Sequence, residues 1–361
     1  MSWTPWQIIA GGAQVSVSGS GIPSDLVSFL DGLGKLVPAD SASPVQRLDL
    51  RVVDDDDAFR AARARAERAG SPSHPMLRDL PSTARATVLQ EGDVVLLDWT
   101  DAGILVATLG SGEAEIVLAP NRRHLGWMLG HLVAAVLSGV GALRTLHASG
   151  VRFEGQDLLL SGRSGSGKTT LGLMLLAEGA SALTEDITYI GPSGAIIARP
   201  LRDYMNVRQG TLHALHRHGF IPQGLRDESD PSREDSLELF ARGKSGEQEL
   251  EVREFVRDDG PTTARPALLL LPRISVGPAT GLSSASTDEV VRATAVPPVM
   301  ISWVLHLMSG PLRELQILEP PLPPAVILPY SIHDSVPAVI SRVREAVAQL
   351  PDRVGGRRDS H

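Results

Sequence analysis

The pattern of apolar and polar positions changes sharply between residues 156 and 179. A short apolar run, DLLLS, precedes a glycine-rich stretch, GRSGSGK, and then TLGLMLLAEG, in which Leu171, Met174 and Leu175 recur at helical spacing. Gly179 comes two residues after the last apolar position, where a helix commonly ends. The pattern predicts a buried strand, a tight turn and an amphipathic helix.

The first 140 residues contain three further patterns. The aspartates of Asp54–Asp57 precede an Ala/Arg-rich run that ends at Gly70, which predicts a helix with a solvated, acidic start rather than a metal site. Residues 86–120 hold short β-branched runs separated by EGD, TDAG and GSGE, which predicts an antiparallel meander. An apolar helix is predicted over residues 123–143. Together these elements predict a smaller N-terminal α/β domain over residues 1–140. Substrate recognition is a candidate role for this domain.

The rest of the chain alternates predicted strands and helices over residues 141–350. The run ARPALLLLPRISVG predicts a buried strand, PPVMISWVLHLMSG an apolar helix, and PAVILPYSIHDSVPAVISRVREAVAQL a strand followed by a helix. Residues 223–260 are densely charged and rich in turn residues, which predicts an insertion or a lid. Residues 351–361 are expected to form a disordered tail.

Composition narrows the classes of function. The formal net charge is −8, which opposes non-specific electrostatic binding to the phosphates of a nucleic acid. We therefore expect no nucleic-acid partner. The chain has no cysteine, which excludes disulfides, thiolate metal sites and cysteine nucleophiles and fits a cytoplasmic protein. The N-terminus lacks a signal-peptide pattern. Residues 126–143 are apolar but include His131 and several glycines, so we interpret them as a buried helix and expect no membrane span.

The glycine-rich stretch matches the phosphate-loop pattern G-x-x-x-x-G-K-[ST] at every fixed position. Glycines allow consecutive backbone N–H groups to turn towards an anion, and the start of the following helix adds its positive end. Lys168 is expected to reach the β- and γ-phosphates of a nucleotide, and the hydroxyl of Thr169 to coordinate Mg²⁺. The expected binding residues for ATP, or another nucleoside triphosphate, are Gly162, Arg163, Ser164, Gly165, Ser166, Gly167, Lys168, Thr169 and Thr170.

Two flanking stretches add candidate chemistry. Upstream, LHASGVRFEGQDLLLSG predicts a β-hairpin that begins near His147 and leads into the loop. Downstream, SALTEDITYI places Glu185 and Asp186 at the end of a short strand. A carboxylate there can hold Mg²⁺ or take a proton from an attacking hydroxyl. The residues alone do not decide which of the two carboxylates is the base.

In this order and spacing the sequence resembles the HPr kinase/phosphorylase superfamily, whose core is related to phosphoenolpyruvate carboxykinase. The resemblance covers residues 143–350 and rests on HASGV from His147, the loop at 162–169 and TEDIT from Thr184. It implies an α/β (α+β) fold with a P-loop kinase core on a mixed, largely antiparallel sheet. It also implies a kinase that transfers the γ-phosphoryl group of ATP to a hydroxyl acceptor, which is either a small molecule or a peptide serine. Assembly into a homo-oligomer is compatible with the resemblance.

The resemblance also implies roles for individual residues. Asp186, together with Thr169, lies at the metal, Glu185 takes the position of the general base, and His147 orients the base or contacts the transferred group. Arg273, in LLLLPRIS, neutralises developing charge. This chain departs from the family in having Glu-Asp where relatives have Asp-Asp, and it lacks an LEIRG-like run, so HPr itself is not the expected acceptor.

Other interpretations stay open from the sequence. A nucleotide-dependent switch or hydrolase that binds a partner is the main rival, although no LSGGQ-like or NKxD motif occurs. A carboxykinase is a third candidate, resting on fold analogy alone. Each of His147, Glu185 and Arg273 also has a purely structural interpretation. We interpret the remaining histidine cluster as a solvated helix face; its members are His213, His216 and His218.

Overall fold

The protein is a mixed α/β structure. The computed structural model describes residues 6–19, 22, 24–37, 43–72, 86–99, 103–120, 125–163, 165–198, 204–208, 211, 247–251, 262–296, 299–311, 314–331 and 333–350. Several predictions lie outside these residues: most of the insertion at 223–260, the tail at 351–361, the position Ser164, and the histidines His213, His216 and His218.

The described strands and helices follow the predicted alternation. The strands are β1 (Trp6–Ala10), β2 (Ala13–Gly19), β3 (Gln46–Val53), β4 (Ala86–Glu91), β5 (Val94–Trp99), β6 (Gly103–Thr108), β7 (Glu113–Leu118), β8 (Arg144–Leu146), β9 (Ala148–Phe153), β10 (Gln156–Ser161), β11 (Ser181–Thr184), β12 (Thr188–Ile190), β13 (Ile196–Ile197), β14 (Tyr204–Arg208), β15 (Glu247–Glu251), β16 (Thr263–Ala264), β17 (Leu268–Ser275), β18 (Ser283–Ser284) and β19 (Ala325–Ser331). The helices are α1 (Ser24–Leu36), α2 (Asp56–Arg68), α3 (Leu125–Gly139), α4 (Lys168–Ala177), α5 (Thr287–Thr294), α6 (Val299–Ser302), a 3₁₀ helix (Trp303–Leu307) and α7 (Val336–Ala348).

The N-terminal sheet has seven strands in the order β1-β2-β3-β7-β6-β5-β4. Strands β4 to β7 pair antiparallel, as the meander prediction required, while β2, β3 and β7 run parallel. The predicted acid-started helix is α2, whose N-cap Asp55 accepts a hydrogen bond from the backbone N–H of Ala58 at 2.7 Å. Ala62 and Ala66 of α2 pack on this sheet, so the predicted helix and the predicted meander are both confirmed.

The other face of the N-terminal sheet buries α1 and α3 in one apolar core. Leu132, Val133 and Val136 of α3 have at most 2% of their surface exposed, which confirms the predicted buried helix. None of the described helices has the length and apolar character needed to cross a bilayer. The same core takes in Trp303 and Leu305, where the predicted apolar helix is a turn of α6 followed by 3₁₀ geometry. A domain boundary near residue 140 stays a prediction.

The phosphate loop belongs to a second, six-stranded sheet in the order β11-β9-β10-β17-β19-β18. Strands β9 and β10 form the predicted hairpin, and its two turn residues, Glu154 and Gly155, both have positive φ, as a two-residue type I′ turn requires. Strands β10, β17 and β19 run parallel at the centre. The mixed sheet is therefore confirmed, with a parallel rather than an antiparallel middle.

This parallel centre determines where a ligand can bind. The carboxyl ends of β10, β17 and β19 meet at one edge of the sheet, which is where open α/β sheets bind their ligands. The loop leaves β10 at this edge, and Arg273 and Tyr330 lie near the ends of the two neighbouring strands. A smaller antiparallel sheet, β16-β13-β12-β8, brings residues 147 and 188 towards the same edge.

Candidate active site

The glycine-rich loop joins β10 to α4 and leaves backbone donors open at the start of the helix. The N-cap of α4 is Gly167, and no side chain caps this end. Among the described residues, the backbone N–H groups of Gly165, Gly167 and Thr169 meet no acceptor. Unpaired N–H groups at a helix start attract anions through their own dipoles and through the helix dipole. This end of α4 therefore fits a phosphate chain.

Two further features of the loop fit a phosphate ligand. At Gly165, φ is +83° and no atom lies within 4 Å of the position that a Cβ would take, so space is open beside the backbone. The Oγ atom of Ser166 is buried without a hydrogen-bond partner among the described residues. Arg163 is exposed, and its carbonyl accepts from the backbone N–H of Ser166 at 3.0 Å.

The opposite side of the loop rests on Tyr330 of β19. The hydroxyl of Tyr330 donates to the carbonyl of Gly167 at 2.9 Å, and a Cβ at Gly167 would lie 2.1 Å from that hydroxyl oxygen. Gly167 also has a φ of +99°. The close approach of the Tyr330 hydroxyl and the backbone conformation therefore both require glycine at this position. Burial raises the pKa of Tyr330, which keeps its hydroxyl protonated and able to donate.

The hydroxyl of Thr170 forms a hydrogen bond with another side chain of the protein. Its Oγ1 lies 3.1 Å from Oγ1 of Thr211, and both side chains are buried. A contribution of Thr170 to phosphate binding would therefore come from its backbone. Tyr330 and Thr211 were missed by sequence reasoning, although a tyrosine near the end of a strand parallel to β10 is a usable signal.

Lys168 and His147 meet at the mouth of the loop. Lys168 is only 8% exposed, and its Nζ donates to the carbonyl of Gly162 at 2.8 Å and lies 2.9 Å from Nε2 of His147. A charged ammonium group can only donate, so Nε2 accepts and the imidazole proton belongs on Nδ1. The same Nε2 lies 3.2 Å from Oδ1 of Asp186. The ammonium and the carboxylate therefore flank one imidazole nitrogen.

Asp186 reaches this position from the apex of a very tight turn. Its φ is +56°, and the backbone N–H of Ile187 donates across it to the carbonyl of Glu185 at 2.6 Å. A hydrogen bond spanning two residues with a positive central φ is the pattern of the rare, strained form of γ-turn. The backbone N–H of Asp186 donates to Oγ of Ser149 at 3.1 Å, a contact that sequence reasoning also missed.

A pair of threonines holds the base of this turn. Oγ1 of Thr188 donates to the carbonyl of Ala148 at 2.7 Å, so the 2.7 Å contact between Thr184 and Thr188 has Thr184 as its donor. Both threonines are buried. Strained backbone persists where its surroundings fix it, and it concentrates at functional sites. The fold therefore fixes a non-glycine residue in an unfavourable conformation to place the Asp186 carboxylate beside His147.

The other predicted carboxylate, Glu185, lies on the same turn. Its carbonyl accepts the hydrogen bond that closes the turn, and its side chain is half-buried. The carboxylate that meets His147 is that of Asp186.

Arg273 lies beside the loop, but its side chain is paired elsewhere. The backbone N–H of Ile274 donates to the carbonyl of Ser166 at 3.3 Å, which joins this part of β17 to the loop. The guanidinium of Arg273 lies 2.5 Å from Oε1 of Glu289 on α5. Hydrogen bonds from the backbone and hydroxyl of Ser286, and then the contact with Arg273, lower the pKa of Glu289 to about 2. This carboxylate is thus charged at neutral pH.

The described residues provide no group of three His, Asp or Glu side chains that could hold a metal ion alone. Magnesium in nucleotide sites needs less from the protein, since it binds through one or two side chains and the phosphates. The sequence predicts Thr169, which lies in the first turn of α4, and Asp186, which lies beside His147, for that purpose. The oxygen donors suit Mg²⁺, and the open N–H groups beside them suit the phosphates.

Comparison of the chain with protein-family models and with curated proteins gives no match.

Proposed function

We propose that the protein is an ATP-dependent kinase that transfers the γ-phosphoryl group to a hydroxyl acceptor, with a catalytic core like that of the HPr kinase superfamily. The observation that carries the proposal is the contact of Lys168, His147 and Asp186 around one imidazole nitrogen at the mouth of the loop. A nucleotide-binding loop alone would need the lysine, the backbone donors and the side chains that hold Mg²⁺, but no imidazole between the lysine and the carboxylate. An acidic residue held in strained backbone beside them favours proton transfer from an acceptor.

In this proposal the loop binds the triphosphate. The backbone N–H groups at Gly165, Gly167 and Thr169 would bind phosphate oxygens, and Lys168 would exchange its contact with the carbonyl of Gly162 for the phosphates. Mg²⁺, bound with the nucleotide at Thr169 and Asp186, would neutralise part of the phosphate charge.

The acidic turn would then activate the acceptor. The acceptor oxygen attacks the γ-phosphorus, its proton passes to the carboxylate of Asp186 or Glu185, and the bond to the bridging oxygen breaks as ADP leaves. When Lys168 turns to the phosphates, Nε2 of His147 no longer accepts from it. In the other neutral tautomer, with the imidazole proton moved from Nδ1 to Nε2, this nitrogen can donate to Asp186, 3.2 Å away. His147 would thereby hold the carboxylate at the angle that the acceptor hydroxyl requires.

The direct test follows the label of γ-labelled ATP. Wild-type protein is incubated with Mg²⁺, labelled ATP and, separately, pools of small alcohols and of serine-containing peptides. Label on an acceptor supports the kinase, and the pool that receives it gives the acceptor class. Release of label only as inorganic phosphate, at a rate that no pool changes, would instead indicate a hydrolase or switch.

Three variants separate binding from transfer. Lys168→Ala is expected to lose nucleotide binding by about tenfold or more, because a charge-assisted contact is removed. Asp186→Asn and Glu185→Gln are expected to retain binding. Asp186→Asn loses transfer because it removes the metal-side carboxylate, whichever residue is the base, and Glu185→Gln loses transfer only if Glu185 is the base. Wild-type turnover in both carboxylate variants would contradict the proposed proton transfer.

A further inference from the structure

Arg273 and Glu289 form an ion pair at the edge of the candidate site. The side chain of Arg273 is 58% exposed and that of Glu289 is 28% exposed. The pair joins the end of β17 to the first turn of α5. Because the arginine is open to solvent on one side, a dissolved anion can compete with Glu289 for it.

The backbone next to Arg273 lies against the phosphate loop. The carbonyl of Pro272 lies 3.9 Å from the position of a Cβ on Gly162, and the N–H of Ile274 donates to the carbonyl of Ser166. Ser166, the fifth residue of the loop, is thus bonded to the residue that follows Arg273, and Gly162, the first, faces the residue that precedes it. A phosphate held by this loop lies near the base of the Arg273 side chain.

The face of β17 also determines which way Arg273 points. Leu269 and Leu271, on the same side of the strand as Arg273, pack in one cluster with Ala293 of α5. At the far end of α5, the carbonyl of Thr294 accepts from the backbone N–H of His147 at 3.0 Å. Helix α5 therefore lies between Arg273, at its first turn, and the backbone of His147, at its last.

We infer that Glu289 is a positioning residue that holds Arg273 away from the phosphate loop until a polyphosphate competes for the guanidinium. This inference rests on the proposed function only in requiring that the loop bind phosphate. Every ligand that recruits Arg273 must first break its ion pair. Contact with Arg273 favours ligands whose phosphate reaches it over shorter ones. The ion pair reduces this advantage, because only a ligand that contacts Arg273 loses affinity in breaking the pair, so Glu289 sets how strongly a nucleoside triphosphate is preferred over a diphosphate.

The structure offers a variant that removes the ion pair without removing the helix cap. Glu289 also closes the capping box of α5, since its carboxylate accepts from the backbone N–H of Ser286 at 2.9 Å. Glutamine serves in capping boxes as glutamate does, so Glu289→Gln retains the cap and loses the negative charge. Asp288, the adjacent acid in the same turn, is exposed, and Asp288→Asn is the matched control for the change in net charge.

The experiment measures the affinity of the full chain for ATP, ADP and inorganic triphosphate by titration calorimetry at fixed ionic strength. We expect Glu289→Gln to bind ATP and inorganic triphosphate about two- to fivefold more tightly than wild type, the range of an exposed ion pair. We expect Arg273→Gln to bind them about tenfold more weakly. ADP should change less in both variants, and Asp288→Asn should match wild type.

The outcomes separate the two proposals. If wild type binds ATP but Glu289→Gln binds it equally or more weakly, with an unchanged melting temperature, the inference about Glu289 is wrong and the kinase proposal stands. Tightening in Asp288→Asn equal to that in Glu289→Gln would assign the effect to net charge and also overturn the inference. If wild type binds neither ATP nor inorganic triphosphate, both proposals fail.

Discussion

The ammonium of Lys168 lies 2.9 Å from Nε2 of His147, and Oδ1 of Asp186 approaches that nitrogen from another side at 3.2 Å. One imidazole nitrogen thus has a donor and a carboxylate as neighbours. Nε2 cannot accept a hydrogen bond from the lysine and donate one to the carboxylate at once. Binding of phosphate in the loop would therefore change the hydrogen-bond partner of His147 from Lys168 to Asp186.

His147→Ala is the first variant to make. We expect the rate of phosphoryl transfer at saturating ATP to fall by about a hundredfold, because the carboxylate loses the group that orients it. The dissociation constant for ATP should stay within about threefold of wild type, since Lys168 retains the carbonyl of Gly162 as a partner. Calorimetry and single-turnover kinetics measure the two quantities separately. An equal loss in affinity and in rate would make His147 a binding residue.

The strained turn at Asp186 predicts a separation of stability from activity. Asp186→Gly and Asp186→Ala both remove the carboxylate, so both should lose transfer. Glycine adopts positive φ without penalty, whereas alanine at +56° does not. We expect Asp186→Gly to be more stable than Asp186→Ala by about 1 kcal/mol in urea unfolding. Equal stability of the two variants would show that the backbone at this position is not strained.

The contact between Gly167 and Tyr330 predicts that alanine substitutions at two glycines of the same loop lower the stability by different amounts. Gly167→Ala places a methyl group 2.1 Å from the Tyr330 hydroxyl and adds a backbone penalty, so we expect it to cost about 3 kcal/mol of stability and most of the affinity for ATP. Gly165→Ala meets no neighbour within 4 Å and should cost only about 1 kcal/mol. Denaturant unfolding of both variants, with ATP titrations, compares them directly. Similar losses in the two would contradict a steric role for Tyr330.

Tyr330 also predicts a dependence of stability on alkaline pH. Burial raises its pKa above the usual value of 10.0, so in the folded protein the hydroxyl stays protonated while the unfolded chain ionises. The contribution of Tyr330 to stability is complete below pH 10 and is lost as pH rises towards the folded-state pKa. The stability advantage of wild type over Tyr330→Phe should therefore shrink by about 1.4 kcal/mol per pH unit above pH 10. An advantage that is constant from pH 8 to 11 would show that the folded-state pKa is not raised.

Local patterns predicted the elements that depend on local chemistry. The capped start of α2, the meander of β4 to β7 and the hairpin before the loop each follow from residues within a few positions of one another. The loop itself was predictable because the glycine, lysine and hydroxyl positions have fixed spacing within one strand-turn-helix unit. These predictions needed no knowledge of tertiary packing.

Contacts between distant segments could not be predicted in the same way. Tyr330 is 163 positions from the carbonyl it bonds, and Arg273 is 16 positions from the glutamate that holds its side chain. The sequence placed a tyrosine and an arginine near strand ends but gave no register between β17, β19 and the loop. The positive φ of Asp186 was equally hidden, because aspartate takes a positive φ more often than most residues other than glycine but still in a small share of cases.

The return of residues 303–308 to the core of the N-terminal sheet has a consequence for biosynthesis. Trp303 and Leu305 pack with Leu33 and Val136 there, so this core is complete only after the ribosome has made most of the polypeptide. A truncated chain ending at residue 140 would leave α3 with an uncovered apolar surface, and we expect it to aggregate. The nascent N-terminal part would then need shielding, by a chaperone or by slow release, until the returning segment emerges.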